Sequence, residues 1–223
     1  MQLIGNYAVY SYDNVDFELV KSIDNYLNNN VKKIFELFGF IPEKKANIFI
    51  LPSKKEYDET LQKIRKNSSP IPSWNVGTTS YSGNIYFLSL RDYKNTSHKD
   101  ILLDSVNVMS FYLKCLFHEY IHFVTYEYCY LRKFPIPCKC ILEGIAQYYS
   151  NQKDISTLKF NYSLNDILYS SNCYDGWLLY VNYIVNHYNE DYLLGLFEEF
   201  GYASDEIIRI YEDVKNYYNS SEH

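Results

Sequence analysis

The stretch that decides the fold of the carboxy-terminal half is FYLKCLFHEYIHFV, from Phe111 to Val124. It is apolar at nearly every position, and a helix that is apolar all round is usually buried on most faces. His118, Glu119 and His122 interrupt it, and burying such groups without partners would cost several kcal/mol, so they must pair, bond to each other or bind a metal. The stretch therefore predicts a buried helix, within a longer helix from Ser105 to Tyr128, that carries a polar cluster.

The spacing of the two histidines indicates half of a metal site. At about 100° per residue, His118 and His122 lie about 40° apart around the helix and one turn, roughly 6 Å, along its axis. Both imidazole rings can therefore reach one point above the helix. Glu119 lies about 60° from His122 on the same side, so its carboxylate can approach a metal-bound water rather than the metal. This position predicts a general base.

A zinc site with one open position needs three protein ligands, so a third must come from elsewhere in the chain. Glu143, in CILEGIAQYY, is the best candidate because it begins a second helical pattern after a loop long enough for that helix to turn back. Gly144 and Ala146 are small and would let the second helix approach closely. We therefore expect one zinc ion per chain, bound by His118, His122 and Glu143.

These residues carry a family resemblance. HEYIH, from His118 to His122, and EGIAQY, from Glu143 to Tyr148, form the pair H-E-x-x-H and E-G-x-A-x-Y, which resembles the gluzincin class of zinc metallopeptidases in the peptidase MA-like group. The segments NIFILPSKKEYDETL and GNIYFLSL are similar to the strand, helix and edge strand that precede the zinc helix in this family. GWLLYVNYIVNHYNEDYLLGLF is similar to the helix that follows the third ligand. Only the two motifs are specific.

The resemblance implies an α+β, zincin-like fold with an active-site cleft between two lobes. The amino-terminal lobe would be mixed α/β with a small sheet and an edge strand, and the carboxy-terminal lobe would be helical. His118, His122 and Glu143 would bind zinc, while Glu119 would act as general base and proton shuttle. The implied reaction is peptide-bond hydrolysis by a zinc-bound water that Glu119 activates.

Many gluzincins use a tyrosine or histidine to stabilise the transition state. Tyr174 precedes Gly176 by two residues and resembles the Tyr-x-x-G element of aminopeptidase relatives, with a spacing one residue shorter. We therefore treat Tyr174 as a candidate for this role. Elsewhere the chain departs from the family pattern at Cys140, where such proteins often have tryptophan, and at Tyr188-Asn189, where a Tyr-Gly helix end is usual.

Hydrophobic patterning predicts where strands and helices lie in the rest of the chain. The main predicted elements before residue 100 are a strand at residues 6–12, a helix from about Asp16 to Phe38, a strand from Ala46 to Pro52 and a strand from Gly83 to Leu90. No convincing strand follows, so we predict that the part from about residue 101 is helical. We predict a single domain over residues 1–223, in which the part to about residue 100 is α/β. The strand in GNIYFLSL is a candidate edge strand for aligning an extended substrate, or an ordinary core strand.

Composition and charge indicate which classes of binding partner to expect. The 223 residues carry a formal net charge of -6 and a pI of about 5.4, with no basic stripe, so we expect no nucleic acid. No run of about 18 apolar residues predicts a membrane span, and the start MQLIGNYAVYSYDN lacks the pattern of a signal peptide, which predicts a cytoplasmic protein. The five cysteines show no C-x-x-C and favour reduced thiols. The expected partner is a peptide or protein substrate.

Two other functions remain compatible with these motifs. The chain could be a catalytically silent zinc-binding module that recognises a peptide or protein without cleaving it, or a helical interaction domain with chance histidines. Glu119 discriminates between the first alternative and an enzyme, because a silent module needs no carboxylate there. Lys114, Cys138 and Cys140 lie near the motifs, and we interpret them as a salt-bridged or snorkelling lysine and two packing residues.

Overall fold

The computed structural model describes residues 1–98, 108–198 and 202–220, with the side chains of residues 202 and 203 excepted. The strands are β1 (Gln2–Ile4), β2 (Ala8–Ser11), β3 (Ala46–Leu51), β4 (Gly77–Thr79) and β5 (Asn84–Leu88). The helices are α1 (Phe17–Phe38), α2 (Lys54–Arg65), α3 (Val108–Arg132), α4 (Lys139–Ser150), α5 (Leu164–Tyr169), α6 (Tyr174–His187), α7 (Glu190–Gly195) and α8 (Tyr202–Ser220). The protein is therefore α+β, with one small mixed sheet and a predominance of helices.

The five strands form one sheet in the order β1-β2-β3-β5-β4. The three central strands are parallel, and both outer strands are antiparallel to their neighbours. The parallel connections run through α1 and α2, as such crossovers require. The last strand, β4, pairs with β5 in the register Gly77↔Phe87, Thr78↔Tyr86 and Thr79↔Ile85.

Apolar spacing explains why α1 and α2 each bury one face. The buried residues of α1 recur every three or four positions, as a single apolar stripe requires. They are Val20, Ile23, Leu27, Val31, Ile34, Phe35, Leu37 and Phe38. Helix α2 begins after Ser53, whose hydroxyl accepts a hydrogen bond from the Glu56 amide, and it buries Tyr57 and Leu61. The sequence-based helix predictions for these two segments are confirmed.

Contacts between Cα atoms divide the chain into two compact units. The first comprises Met1–Lys33 and Ile41–Phe123 and contains the whole sheet. The second comprises Ile34–Phe40 and Val124–His223 and contains helices α4 to α8. The subdomain boundary predicted near residue 100 falls at residues 99–107, which lie outside the described residues, as does the predicted helix start at Ser105.

The second unit has its own apolar core around α6. Trp177, Leu179, Tyr180 and Ile184 are fully buried in this helix. The Trp177 indole nitrogen donates to the Ile167 carbonyl at 2.8 Å, which satisfies its one polar group. Helix α5 begins with a capping box, in which Ser163 and Asp166 satisfy each other's backbone amides.

Of the two interpretations of GNIYFLSL, the edge strand is wrong and the core strand is confirmed. β5 lies between β3 and β4 and pairs with both, so it is an interior strand, and the outer strand on that side is β4. β4 was not predicted because it has only three residues, GTT, and follows a loop rich in proline and serine. β1 was missed because it too has only three residues. The predicted absence of strands beyond about Asp100 holds for the described part of the chain.

Within residues 1–98, 108–198 and 202–220, none of the helices combines the length and the apolar character needed to span a bilayer.

Candidate metal centre

Helix α3 carries the first motif in surroundings that exclude water. Phe117 and Ile121 are fully buried, and His118 and His122 are only 6% and 5% exposed. This burial follows from the apolar character of the segment on every face of the helix. Two imidazoles are therefore buried together, as the sequence predicted.

The two histidine rings approach each other through their Nε2 atoms. Their Nε2 atoms are 3.0 Å apart, and their ring planes are nearly perpendicular at 87°. Two nitrogens that share a tetrahedral zinc ion at about 2.0–2.1 Å would be about 3.4 Å apart. The observed spacing is shorter and lies within hydrogen-bond distance, and it shows that the two rings converge as the one-turn separation predicted.

Glu143 completes a group of three. One ligand atom each from His118, His122 and Glu143 lie within 4.8 Å of one another, and Glu143 is half-buried. Within the part of the chain that the structure describes, these residues form the one group of three or more histidine, cysteine and acidic side chains close enough to share an ion. The residues present therefore fit a metal ion, and the donor set of two imidazoles and a carboxylate suits zinc among others.

Helix packing within the second unit explains where α4 holds Glu143. Gly144, the next residue, lies against α6: a Cβ atom built on it would be 2.5 Å from the Trp177 carbonyl oxygen and 2.6 Å from the Val181 Cγ2. No side chain fits in that space, so only glycine allows this approach of the two helices. Ala146 is fully buried in the same helix. Gly144 thus serves close packing of α4 on α6, whereas the sequence predicted that the small residues would let this helix approach the helix of the two histidines.

Glu119 lies next to the outer strand of the sheet. The Thr79 hydroxyl is 2.7 Å from Glu119 Oε2 and also 2.7 Å from the Glu119 carbonyl oxygen. Gly77 lies close by, because a Cβ built on it would be 2.8 Å from Glu119 Cγ and 2.5 Å from the Phe87 ring. β4 therefore leaves room for the glutamate at Gly77 and hydrogen-bonds it through Thr79.

Two weakly acidic side chains near Glu119, those of Tyr57 and Cys115, are uncharged. Burial raises the pKa of the Tyr57 hydroxyl well above its usual value, and the nearby Glu119 charge raises it further. Burial likewise raises the pKa of the Cys115 thiol, again with a contribution from Glu119. Cys115 precedes Glu119 by one helical turn. At neutral pH these two groups carry no charge.

The remaining predicted residues lie in the second unit. Tyr174 is the first residue of α6, and its ring packs edge-on against Trp177 with centroids 5.3 Å apart. Trp177 in turn lies against Gly144, so Tyr174 belongs to the helix that packs on the helix of Glu143. Its role as a transition-state stabiliser stays a prediction. Cys138 is half-buried and Cys140 is buried, and neither belongs to the three-residue group.

Sequence reasoning missed Thr79 and Gly77. Both lie in a three-residue strand, and their contact with Glu119 joins positions 40 residues apart. The only signal in the sequence was a glycine followed by two β-branched threonines, a common combination with no specific meaning.

The fold and the site define an α+β protein with a candidate His-His-Glu metal centre. No protein-family model and no curated protein sequence matches the chain. The resemblance to gluzincins therefore stays a prediction that the two motifs carry.

Proposed function

We propose that this chain is a zinc-dependent metallopeptidase of the gluzincin type that hydrolyses peptide bonds in a peptide or protein substrate. The observation that carries the proposal is the proximity of one ligand atom each from His118, His122 and Glu143, all within 4.8 Å. Two motifs separated by a loop supply the three donors that a zinc hydrolase requires. We extend the proposal to the zincin-like arrangement of a lobe with a small sheet, a helical lobe and an active-site cleft.

The protein groups divide the work between binding and proton transfer. A divalent ion bound by the three ligands would act as a Lewis acid and lower the pKa of a water molecule towards about 7. Glu119 would accept a proton from the attacking water and later deliver it to the leaving amine. Its position beside the first ligand, with uncharged neighbours at Tyr57 and Cys115, suits that task. Tyr174 remains the candidate donor to the developing oxyanion.

Glu119→Gln tests this function. The amide cannot accept the proton, so we expect turnover of a mixed peptide pool to fall by about a thousandfold or more, while zinc stays bound because Glu119 is not a ligand. The measurements are a time-resolved peptide digest and zinc content per chain by elemental analysis. His122→Ala is the matched control, since it should lose both zinc and turnover.

The contrary outcomes separate the competing functions. Equal cleavage by the wild-type protein and Glu119→Gln would refute the proposed mechanism. Stoichiometric zinc with no cleavage of any peptide would instead favour a silent zinc-binding recognition module. A folded protein that binds no zinc would leave only a helical interaction domain.

A further inference from the structure

We propose that Thr79 is a positioning residue that holds the Glu119 carboxylate in place from the outer strand of the sheet. This inference rests on the proposed function, because it assigns to Thr79 the task of orienting the general base. No motif contains Thr79, and it lies 40 positions before Glu119 in the chain. Three features of the first unit support it.

The first feature is the pair of contacts that the Thr79 hydroxyl makes. It is 2.7 Å from both the side-chain Oε2 and the backbone carbonyl oxygen of Glu119. A hydroxyl has one hydrogen to donate, so it donates to one of these oxygens at a time. Because both acceptors belong to one residue, the hydroxyl connects the end of a flexible side chain to its own backbone. This contact restricts the rotamers that the Glu119 side chain can adopt.

The second feature is the rigidity of the donor. Threonine is β-branched, so its χ1 angle is restricted. Thr79 lies opposite Ile85 in the pairing of β4 with β5, and Ile85 is fully buried. The direction of the hydroxyl is therefore set by the sheet rather than by a mobile loop. A donor on a regular element positions its partner more accurately than a loop residue does.

The third feature is the alternation of β4. Successive side chains of a strand point to opposite faces, so Gly77 and Thr79 share one face and Thr78 occupies the other. Thr79 hydrogen-bonds Glu119, and Glu119 Cγ borders the space where a Cβ on Gly77 would lie. The Thr78 hydroxyl instead donates to the Gly77 carbonyl at 2.7 Å and lies 3.2 Å from the Tyr57 hydroxyl. Adjacent threonines thus provide a test residue and its matched control.

The experiment compares Thr79→Val, Thr79→Ser and Thr78→Val in the full-length zinc-loaded protein. Valine keeps the shape and removes the hydroxyl, so Thr79→Val should lower kcat by about 10- to 100-fold, as expected for losing a hydrogen bond to a charged group. KM and zinc content should change less than about threefold, since substrate and metal binding do not use this hydroxyl. Thr79→Ser should restore most of kcat, and Thr78→Val should stay within about threefold of the wild type. An unchanged kcat in Thr79→Val, or an equal loss in Thr78→Val, would overturn the assignment.

A second measurement separates this inference from the proposed function. Crystal structures of zinc-loaded Thr79→Val and Thr78→Val should show the Glu119 carboxylate displaced in the first variant and in place in the second. If the wild-type protein cleaves no peptide, the peptidase proposal fails and the carboxylate position decides the role of Thr79. A carboxylate that stays in place in Thr79→Val would then refute the positioning role.

Discussion

The two carboxylates of the candidate site each lie beside a glycine, and the two glycines differ in what they make room for. Gly77 leaves space for side-chain atoms, the Cγ of Glu119 and the ring of Phe87. Gly144 leaves space chiefly for backbone, the carbonyl oxygen of Trp177. A side chain can shift to another rotamer, whereas the backbone of a packed helix can move only with the rest of that helix.

The two carboxylates are therefore positioned by different kinds of contact. Glu143 depends on helix packing, since α4 reaches its place only because Gly144 lets it approach α6. Glu119 depends on a hydrogen bond from Thr79 and on the space left by Gly77. A change near Glu143 should therefore affect stability and metal binding together. A change near Glu119 should affect the position of one side chain and little else.

The largest expected effect separates the roles of the two carboxylates. Glu143→Ala removes the proposed third ligand, so we expect zinc affinity to fall by more than about 100-fold, while Glu119→Gln should change it less than about threefold. Competition with a chromophoric chelator measures both affinities under identical conditions. Unchanged zinc binding by Glu143→Ala would mean that the third ligand lies elsewhere and that the comparison rests on the wrong residue.

The next effect tests the packing of α4. In Gly144→Ala the new methyl group meets backbone at 2.5 Å, so we expect a loss of about 1 to 3 kcal/mol in the free energy of unfolding of the metal-free protein. Urea denaturation measures this value. Gly195→Ala is the matched control, because no described atom lies within 4 Å of its Cβ position and helical alanine is favourable. Equal stability of the two variants would show that Gly144 does not limit the approach of the helices.

The smallest effect tests the other glycine. Gly77→Ala places a methyl group 2.5 Å from the buried Phe87 ring and 2.8 Å from Glu119 Cγ. Both neighbours are side chains that can shift, unlike the backbone beside Gly144, so we expect a smaller loss of stability than in Gly144→Ala, about 1 kcal/mol. Turnover should fall about tenfold with zinc content unchanged, because the base is displaced and the ligands are not. Peptide cleavage and elemental analysis check both parts. Turnover at the wild-type level would show that the space beside Gly77 has no bearing on Glu119.

Much of the site could be predicted because its signals are local. His118 and His122 are one helical turn apart, and an apolar helix that buries them needs no knowledge of the rest of the fold to bring their rings together. Their observed burial and the 3.0 Å contact follow from this spacing. Glu143 could be proposed because a glycine and an alanine beside it indicate close helix packing.

The surroundings of Glu119 could not be predicted in the same way. β4 is three residues long and has no pattern of its own, and its place at the edge of the sheet depends on pairing with β5. For GNIYFLSL the edge and core interpretations both stayed open, since a short apolar run does not reveal how many neighbours a strand has. Strand order is a property of the assembled sheet.

The sequence alone was enough to predict the helical character of the carboxy-terminal half, the burial of two histidines on one helix and Glu143 as the candidate third ligand. These depend on periodicity and residue size, which act over a few neighbouring positions. Only the tertiary structure decided that β5 is interior, that β4 is the outer strand and that Thr79 contacts Glu119. Such contacts join segments far apart in the chain, and their geometry exists only once the sheet and the helices have packed.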